Sequence, residues 1–467
     1  MAIGAANGGL ARRTILHLGL GSFHRAHQAL YLHELRASGD ERWSITGGSL
    51  RDDLAPTLDA LALQGGRYTL ETVSPQGERR YQWVESIGEV VRFDPTCSRL
   101  IEVGSDPGTA IVSFTVTEAG YYLDAKGRLD LANPDLAADL AGGRRTIYGA
   151  LAAILAARVG KGGAPLTLLN CDNLRSNGAR SRAGLLEFLE RRGDHALRAW
   201  VLGSTTSPSS MVDRITPRPP PGLAARVRAA TGRADAAPVM AESFIQWVIE
   251  DDFAAGRPAW ESVGVEMVAS VHAHEEAKIR LLNATHSCVA WAGLLKGLSF
   301  IHEDMAVPAI RAMALDYIAE AIACLDTPAQ PSPIDLARYS EVVLERFGNP
   351  YVQDTNARVA MDGYSKIPGF VVPTLRERLD AGRSIAGSAM LPALFFACLM
   401  RWHRGELAQP YQDGVMDPAG AHAMLDERDP LAAFCREPLL WGPLLGDARL
   451  ESAIRDAHAR VQAFASS

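Results

Sequence analysis

Residues 14–28 read TILHLGLGSFHRAHQ, and this stretch decides the fold of the amino-terminal half of the chain. The apolar run at 14–18 predicts a short buried strand that ends in a glycine turn. Apolar side chains then recur at helical spacing, and a second strand is predicted at 43–50. An acidic pair, Asp52 and Asp53, follows that strand. Strand, glycine turn, helix, strand and acid form the start of a dinucleotide-binding βαβ unit.

The glycine turn carries the coenzyme prediction. Gly19 allows the tight turn, and Gly21 lets the backbone approach a pyrophosphate at the start of the next helix, where free N–H groups favour negative charge. The third glycine of the G-x-G-x-x-G fingerprint is replaced by His24, so the fingerprint is incomplete. We expect four residues of the turn to contact the coenzyme; they are Gly19, Gly21, Ser22 and Phe23.

The acidic pair predicts which coenzyme is bound. A carboxylate of Asp52 or Asp53 at the end of the second strand can accept hydrogen bonds from the adenosine ribose hydroxyls. The same negative charge would repel the 2′-phosphate of NADP, so we expect NAD. Arg51 beside the pair keeps NADP as an open alternative, and the two acids could also be ordinary loop residues in solvent.

The rest of the chain predicts two domains. Short apolar runs at 110–116 and 165–170, separated by helical patterns, favour a largely parallel sheet. Beyond about residue 276 the strand signals thin out and Ala-, Leu- and Arg-rich helical stretches dominate. We therefore predict an α/β protein, with a Rossmann-type dinucleotide-binding domain at 1–275 and a mostly α-helical substrate-binding domain at 276–467. The helices predicted in the second domain are 278–295, 306–324, 334–347, 390–404 and 449–463.

Composition excludes several classes of function. Hydrophobic residues make up 47% and charged residues 22% of the 467 residues, as in an ordinary globular protein. A net charge of −7 gives no general attraction to nucleic acid or to an anionic membrane. The amino terminus has no long apolar h-region, and no apolar run approaches the ~20 residues of a membrane span. We therefore expect no nucleic-acid or membrane partner and, by default, a cytoplasmic location.

The sequence also predicts that no metal is bound. The six cysteines include no C-x-x-C pair, so neither a zinc site nor a disulfide framework is indicated. His272 and His274 form an H-x-H pair, but no third ligand at zinc-like spacing accompanies them.

The strongest signal for chemistry is EEAKIRLLNATHS, residues 275–287. If the segment is an α-helix, its polar residues Glu, Lys, Asn and His share one broad arc beside apolar neighbours. Burial lowers the pKa of a lysine, so such an amine can act as the base when an alcohol is oxidised. An asparagine amide can donate a hydrogen bond to the developing alkoxide. The alternative is a surface helix whose lysine and arginine side chains reach solvent.

Three further polar islands interrupt apolar surroundings: CDNLRSNG at 171–178, MVDRITP at 211–217 and NARVAMDGYSKIPGFVVP at 356–373. The first follows a predicted strand, and open α/β sheets bind ligands beyond the carboxyl ends of their strands. Each island could instead be held together by structural ion pairs.

Together these motifs resemble those of the polyol-specific long-chain dehydrogenases, the mannitol dehydrogenase family, from about residue 15 to 373. The resemblance implies a metal-independent enzyme that uses NAD to oxidise a secondary hydroxyl of a sugar alcohol to a ketose. D-arabinitol is the first expected substrate and D-mannitol the second. The resemblance also implies a Rossmann-type domain followed by a helical domain, in a monomer or weak oligomer.

The resemblance further implies roles for single residues. Lys278 matches the general base, and Asn173 and Asn283 match the donors that stabilise the oxyanion. His286 matches a ligand of the substrate hydroxyls, and Glu275 matches a glutamate associated with proton passage to solvent. Three other polar residues match positions in or near the substrate cleft; they are Asp213, Arg358 and Lys366.

Alternative functions remain open at this point. The β-hydroxyacid and phosphogluconate dehydrogenases also join a Rossmann domain to helices, but they use K-x-x-x-N, whereas Asn283 lies five positions after Lys278. A hexuronate reductase of the same family would need a cation for the substrate carboxylate, and Arg358 or Lys366 could serve. A nucleotide-sensing binding protein without catalysis would not need the lysine, both asparagines and the histidine together.

Overall fold

The computed structural model describes residues 12–123, 127–407 and 409–466. The chain forms two compact units. Unit 1 comprises Glu78–His272 together with the chain up to Ser74, and unit 2 comprises Ala273–Ser467 together with Pro75–Gly77. The sequence predicted a division at 275 and gave no indication that Pro75–Gly77, a turn between two antiparallel strands, groups with the helical unit.

The strands of the described residues all lie in unit 1. They are β1 (Arg13–Leu18), β2 (Trp43–Gly48), β3 (Tyr68–Val73), β4 (Arg79–Val84), β5 (Ile87–Val90), β6 (Thr109–Phe114), β7 (Leu166–Asn170), β8 (Thr205–Thr206), β9 (Ser210–Asp213), β10 (Val239–Glu242), β11 (Gln246–Glu250) and β12 (Glu266–Val268). The helices of unit 1 are α1 (Ser22–Ala26), α2 (Gln28–Ala37), α3 (Ala55–Leu63), α4 (Ser98–Gly104), α5 (Pro134–Leu140), α6 (Ile147–Gly160), α7 (Asn177–Arg192), α8 (His195–Ser204) and α9 (Leu223–Thr231).

Six strands of unit 1 form a parallel sheet in the order β5-β2-β1-β6-β7-β8. Leu18 at the end of β1 lies opposite Gly48 of β2 and Phe114 of β6. Phe114 in turn lies opposite Asn170 of β7. The carboxyl ends of these four strands therefore meet at one edge of the sheet. The parallel sheet and the four predicted strands that became β1, β2, β6 and β7 are confirmed.

The six-stranded sheet is covered by helices on both faces. Successive residues of a strand point to opposite faces, so a strand such as β1 packs into a different hydrophobic cluster on each side. In β1, Ile15 packs in a cluster with Leu32 of α2. Leu16 and Leu18 pack in a second cluster with Ile154 of α6. Burial on both faces explains why these strands read as nearly continuous apolar runs.

Two three-stranded sheets, β10-β3-β4 and β12-β11-β9, complete unit 1. The sequence did not predict them. Four of their strands have only three to five residues, and others mix charged with apolar residues, as in the sequence RRYQWV of β4. Such partly exposed strands lack the long apolar run of a buried parallel strand.

Unit 2 is helical, as predicted. Helix α10 (His272–Ala277) leads into a π-helical segment, Lys278–Asn283. The helices that follow are α11 (Ala284–Leu295), α12 (Ile301–Met305), α13 (Pro308–Leu325), α14 (Leu336–Phe347), α15 (Asn356–Ala360), α16 (Gly363–Lys366), α17 (Val372–Asp380), α18 (Met390–His403), α19 (Pro418–Leu425), α20 (Pro430–Cys435), α21 (Pro438–Trp441) and α22 (Ala448–Ser466). None of the helices in the described residues has both the length and the apolar content needed to cross a bilayer.

The core of unit 2 is built around α11. Trp291 on this helix is fully buried, and its Nε1 donates to the Ala360 carbonyl of α15 at 3.1 Å. The ring of Trp291 also lies 5.1 Å, between centroids, from the ring of Phe395 on α18. A Cβ on Gly363 would lie only 2.1 Å from the Phe395 ring, so a glycine is required there for α16 to approach α18. Helices α15 and α16 are thus held tightly against the core.

Two short π-helical segments, Lys278–Asn283 and Ile367–Val371, contact each other in unit 2. In a π-helix each N–H bonds to the carbonyl five residues earlier, not four. The prediction of a regular α-helix from residue 278 is therefore wrong for its first six residues. Pro368 accounts for part of the second segment because it lacks an N–H, but the first segment holds no proline that could have marked it. Such segments occur frequently at functional sites.

Candidate active site

The glycine turn of unit 1 lies at the carboxyl edge of the parallel sheet, directly after β1. Gly19 has φ +102°, and a Cβ there would lie 2.1 Å from the Thr115 carbonyl oxygen. Gly19 is therefore required both for its backbone conformation and for close packing. A Cβ on Gly21 would make only ordinary van der Waals contacts, at 3.9 Å with the Gly19 carbonyl oxygen and the Leu54 side chain. The surrounding protein therefore does not itself require a glycine there, and the approach of a pyrophosphate at Gly21 remains a prediction.

Two buried histidines support the glycine turn. His24, at the position of the missing third glycine, stacks on His17 of β1 with 3.4 Å between ring centroids. Burial lowers the pKa of His17 to about 3, and its ring is therefore neutral. Its Nε2 lies 3.2 Å from the Gly19 carbonyl oxygen, which can only accept, so Nε2 donates and Nδ1 accepts from Ser113 Oγ at 2.9 Å. The histidine pair thus fills the place of the third glycine and ties the turn to β1 and β6.

Asp52 and Asp53 are exposed residues in a single 3₁₀ turn that follows β2. Because β1 and β2 are parallel neighbours in register, this turn and the glycine turn lie at the same edge of the sheet. That position is the one at which an acid reaches the adenosine ribose in dinucleotide-binding folds. Coenzyme contacts at the two acids, at Ser22 and at Phe23 remain predictions.

The loops after β6 and β7 meet at Asp172. Its carboxylate accepts hydrogen bonds from the backbone N–H of Val116 at 3.0 Å and of Thr117 at 2.9 Å, and from the hydroxyl of Tyr121. Burial raises the pKa of Asp172, and these three donors oppose the rise. Thr117 has φ +67°, a strained conformation for a β-branched residue, which persists only where neighbours impose it. Asn173, next to Asp172, is exposed at this sheet edge, and its role as an oxyanion donor remains a prediction.

Asp213 lies in unit 1 at the end of β9, opposite Gln246 of β11, and it is buried. The adjacent Arg214 is also buried and donates to the carbonyls of Glu242, at 2.8 and 3.0 Å, and of Ala26. Arg214 therefore has a structural role in this island, through backbone carbonyls and not through the ion pair that the alternative named. A substrate contact of Asp213 remains a prediction.

The segment EEAKIRLLNATHS forms the end of α10, the π-helical segment and the start of α11. Lys278 and Glu275 are each only 5% exposed, so the alternative of a surface helix with solvated lysine is wrong. Asn283 and His286 are half-buried. Because the π-helical repeat links residues five apart, Lys278 and Asn283 are neighbours along the axis, closer together than a regular α-helix would bring them.

Arg280 anchors the π-helical segment. Its Nη1 and Nη2 donate to the two carboxylate oxygens of Glu377 on α17 at 2.7 and 2.6 Å, and its Nε donates to Glu276 at 2.9 Å. The Arg280 side chain is 8% exposed. Paired bonds of this kind combine charge with fixed geometry. The segment that carries Lys278 is therefore held in place by an ion cluster around a buried arginine.

His286 lies beside a carboxylate that the sequence did not single out. Its Nε2 is 3.3 Å from Asp354 Oδ2, and its ring stacks on Phe347 with 4.4 Å between centroids. Burial lowers the pKa of His286, partly opposed by Asp354, which favours a neutral ring near pH 7. Arg358 donates to both oxygens of Asp354 through its Nε and Nη2. The structure thus brings the predicted residues His286 and Arg358 together through Asp354.

Lys366, at the end of α16, is a second lysine of this region and is half-buried. Its Nζ donates to the Val359 carbonyl of α15 at 2.5 Å. Burial lowers the pKa of Lys366 to about 8, the nearby Asp362 opposing the shift. Asp362 itself has φ +59°, and Gln353, on the other side of α15, has φ +53°. The segment with Arg358 and Lys366 is therefore bounded by two strained residues, as is common near functional sites.

Asp354 and Asp172 are the residues of interest that the sequence reasoning missed. Asp354 stands four residues before Arg358, a spacing that signals an ion pair across a helix end. Asp172 lies inside the quoted CDNLRSNG, where only its neighbour Asn173 received a role. Over the residues that the structure describes, no group of three or more His, Cys, Asp or Glu side chains is arranged to hold a metal ion.

Comparison with known proteins identifies the family. The model of the mannitol dehydrogenase Rossmann domain matches residues 13–262, and that of the mannitol dehydrogenase C-terminal domain matches residues 270–461. D-arabinitol 4-dehydrogenase of Ralstonia nicotianae is 58% identical over 97% of this chain and 98% of its own length. D-arabinitol 4-dehydrogenase of Klebsiella pneumoniae is 52% identical over 96% of this chain and 98% of its own.

A solved structure agrees with both units. The ternary complex of Pseudomonas fluorescens mannitol 2-dehydrogenase with NAD and D-mannitol has a TM-score of 0.83 and 32% sequence identity, covering 98% of this chain and 94% of the other. The resemblance predicted from the motifs and the predicted fold class are therefore confirmed. This chain belongs to the mannitol dehydrogenase family.

Proposed function

We propose that this chain oxidises D-arabinitol to D-xylulose, with D-mannitol to D-fructose as a second reaction. The chain is an NAD-dependent polyol dehydrogenase by family, and a relative's structure contains both NAD and D-mannitol. The observation that carries the choice of substrate is the 58% identity, over 97% of the chain, to a D-arabinitol 4-dehydrogenase.

The residues of unit 1 fit NAD. The glycine turn follows the first strand, a Cβ at Gly21 would meet no atom closer than 3.9 Å, and the exposed acids Asp52 and Asp53 stand at the same sheet edge. When bound, NAD supplies the nicotinamide ring that accepts a hydride. Gly19, Gly21, Ser22 and Phe23 are proposed to hold its pyrophosphate region.

Lys278 is proposed to be the general base. As the substrate carbon loses its hydride, the Nζ of Lys278 takes the proton of the same carbon's hydroxyl. Asn283, one π-helical repeat further on, is proposed to donate its amide N–H to the oxygen while negative charge develops there. Asn173 is proposed as a second donor on the strength of the family resemblance. His286, Arg358, Lys366 and Asp213 are proposed to hold the other hydroxyls.

Glu275 is proposed to carry the proton onward to solvent. It precedes Lys278 by one helical turn, a spacing at which two side chains can meet. Its side chain is as buried as that of Lys278, which suits a relay better than a surface charge. A monomer or weak oligomer in the cytoplasm, without a metal ion, completes the prediction.

The test is NADH formation, followed by absorbance, with D-arabinitol, D-mannitol, D-sorbitol and xylitol, and NADH consumption with fructuronate. We expect the highest kcat/KM with D-arabinitol, with D-mannitol second. The highest kcat/KM with fructuronate would replace the proposal by a hexuronate reductase. NADH binding without turnover of any of the five compounds would favour a nucleotide sensor.

A further inference from the structure

We propose that Asp354 is a positioning residue of this enzyme: its carboxylate fixes the imidazole of His286 and the guanidinium of Arg358 in one arrangement that recognises a substrate hydroxyl. The inference deepens the proposed function and rests on it, because it concerns how that substrate is held. Asp354 is not among the residues to which the family resemblance gave a role.

Asp354 is a buried carboxylate that binds an exposed guanidinium. Its side chain is 8% exposed, whereas that of Arg358 is 64% exposed. Oδ1 accepts from Arg358 Nε at 2.8 Å and Nη2 at 2.6 Å, and Oδ2 lies 2.6 Å from the same Nη2. Oδ2 also lies 3.3 Å from His286 Nε2, which is buried and makes no hydrogen bond among the described residues, so the contact becomes a hydrogen bond only if it tightens when substrate binds. One carboxylate thus serves both groups.

The backbone around Asp354 is fixed independently of these contacts. The Asp354 carbonyl accepts from Ile301 N–H at 3.0 Å. Thr355 caps α15, and its Oγ1 accepts from the Arg358 N–H. Gln353, directly before Asp354, is held at φ +53°, a conformation that non-glycine residues rarely adopt. Asp354 therefore does not need its side-chain contacts to keep its backbone position.

A hydrogen bond from His286 to Asp354, the nearest carboxylate to the unpartnered Nε2, would select one tautomer of His286. A carboxylate oxygen can only accept, so the neutral imidazole must carry its hydrogen on Nε2 and keep a lone pair on Nδ1. Burial lowers the pKa of His286 and so favours this neutral form. Stacking on Phe347, at an interplanar angle of 18°, fixes the plane of the ring.

The two remaining nitrogens can each bind a substrate oxygen. Neither His286 Nδ1 nor Arg358 Nη1 has a hydrogen-bond partner in the part of the chain that the structure describes. Nδ1 of the expected tautomer can only accept, and Nη1 can only donate. A carbonyl or carboxylate oxygen cannot donate to Nδ1, so His286 favours a hydroxyl over an oxidised carbon at its position.

The first experiment separates binding from structure. Asp354→Ala should lower kcat/KM for D-arabinitol about 10- to 100-fold, mostly through KM, because a charged hydrogen-bond partner is lost. Asp354→Asn keeps the shape and one acceptor oxygen, so we expect a smaller loss and a fold that survives even if the alanine variant does not. NADH binding should remain within about twofold of the unaltered protein in both variants.

A double-mutant cycle tests the route of the effect. In a His286→Ala, Arg358→Ala background, adding Asp354→Ala should change kcat/KM by less than about twofold, because the groups through which it acts are gone. A full additional loss in that background would overturn the proposal.

A spectroscopic measurement does not depend on turnover. The ring nitrogens of His286, assigned in ¹⁵N spectra by comparison with His286→Gln, should show hydrogen on Nε2, and Asp354→Ala should populate the other tautomer. Hydrogen on Nδ1 of His286 in the unaltered protein would overturn the positioning role. If no polyol is oxidised, the proposed function fails, and these spectra still decide whether Asp354 sets the tautomer.

Asp304 provides the matched control. It is a fully buried carboxyl of unit 2 that also contacts α15, through Asn356 Nδ2 at 3.0 Å, and it does not contact His286. Asp304→Asn should leave kcat/KM within about twofold of the unaltered enzyme. If Asp304→Asn lowered kcat/KM as much as Asp354→Asn, the effect would be that of α15 as a whole, and the specific role of Asp354 would be wrong.

Discussion

The two segments that carry most of the predicted chemistry are held in place by different forces. In unit 1, the loop that follows β7 is fixed by neutral hydrogen bonds. Asn177 Nδ2 donates to the carbonyls of Asn170, Asp172 and Ser210 at 3.3, 2.9 and 2.8 Å, and Asn177 Oδ1 accepts from the Ser210 N–H at 2.9 Å. In unit 2, the π-helical segment is fixed by the ion cluster of Arg280.

The difference shows how catalytic chemistry and mechanical support are separated. In the loop, the Asn177 side chain bonds directly to the backbone of Asn170 and Asp172, just before Asn173, so the support lies within a few residues of the predicted function. In the helix, Lys278 and Arg280 are two residues apart and therefore point in different directions. A substitution at Lys278 should consequently affect turnover, and one at Arg280 should affect stability.

The largest expected effect is on turnover. Lys278→Ala removes the proposed base and should lower kcat about 10²–10⁴-fold, the usual cost of losing a general base. The measurement is kcat per folded active site, with the fold checked by circular dichroism. A folded Lys278→Ala variant that keeps more than a tenth of the turnover would show that Lys278 is not the base.

The next effect is on stability. Arg280→Ala leaves Glu276 and Glu377 without their buried partner and should lower the free energy of unfolding by about 3–5 kcal/mol. Arg455 on α22 is the matched control, since it also bonds two carboxylates, of Asp429 and Glu451, but is 45% exposed. Arg455→Ala should cost no more than about 1 kcal/mol. Equal losses in chemical denaturation would contradict the anchoring role of Arg280.

A smaller loss of stability is expected in the loop of unit 1. Asn177→Ala leaves several buried polar groups without hydrogen-bond partners and should lower the free energy of unfolding by about 2–4 kcal/mol. Asn133, which caps α5 by accepting from two backbone N–H groups, is the control, and Asn133→Ala should cost about 1 kcal/mol. The comparison of the two regions would fail if Asn177→Ala destabilised the protein less than Asn133→Ala.

The smallest change in rate concerns the coenzyme. The unaltered enzyme should have a higher kcat/KM with NAD than with NADP, because Asp52 and Asp53 oppose a 2′-phosphate. Replacing both acids with asparagine should lower the ratio of kcat/KM with NAD to kcat/KM with NADP by only about tenfold, since the two charges are exposed and screened by solvent. A higher kcat/KM with NADP in the unaltered enzyme would remove the role given to the two acids.

Much of the fold was predictable because its signals are local. The strands that became β1 and β7 are apolar runs, and the five long helical stretches predicted in unit 2 follow from composition and spacing, whereas the short helices such as α15 and α16 were not predicted. The π-helical segment was not predictable, because nothing in KIRLLN distinguishes a five-residue from a four-residue repeat. Asp354 was missed for a different reason: its contact with His286 joins residues distant in sequence, and only packing of α11 against α15 brings them together.

The central claim is a division of labour, in which unit 1 binds the coenzyme and the π-helical segment of unit 2 transfers the proton. The most direct test is a fluorescence titration of folded Lys278→Ala with NADH, beside the unaltered protein. We predict a Kd within about twofold of the unaltered value, despite the loss of turnover, because the substitution lies outside the unit that binds NADH. A Kd weakened by about tenfold or more, equivalent to about 1.4 kcal/mol, would contradict that division.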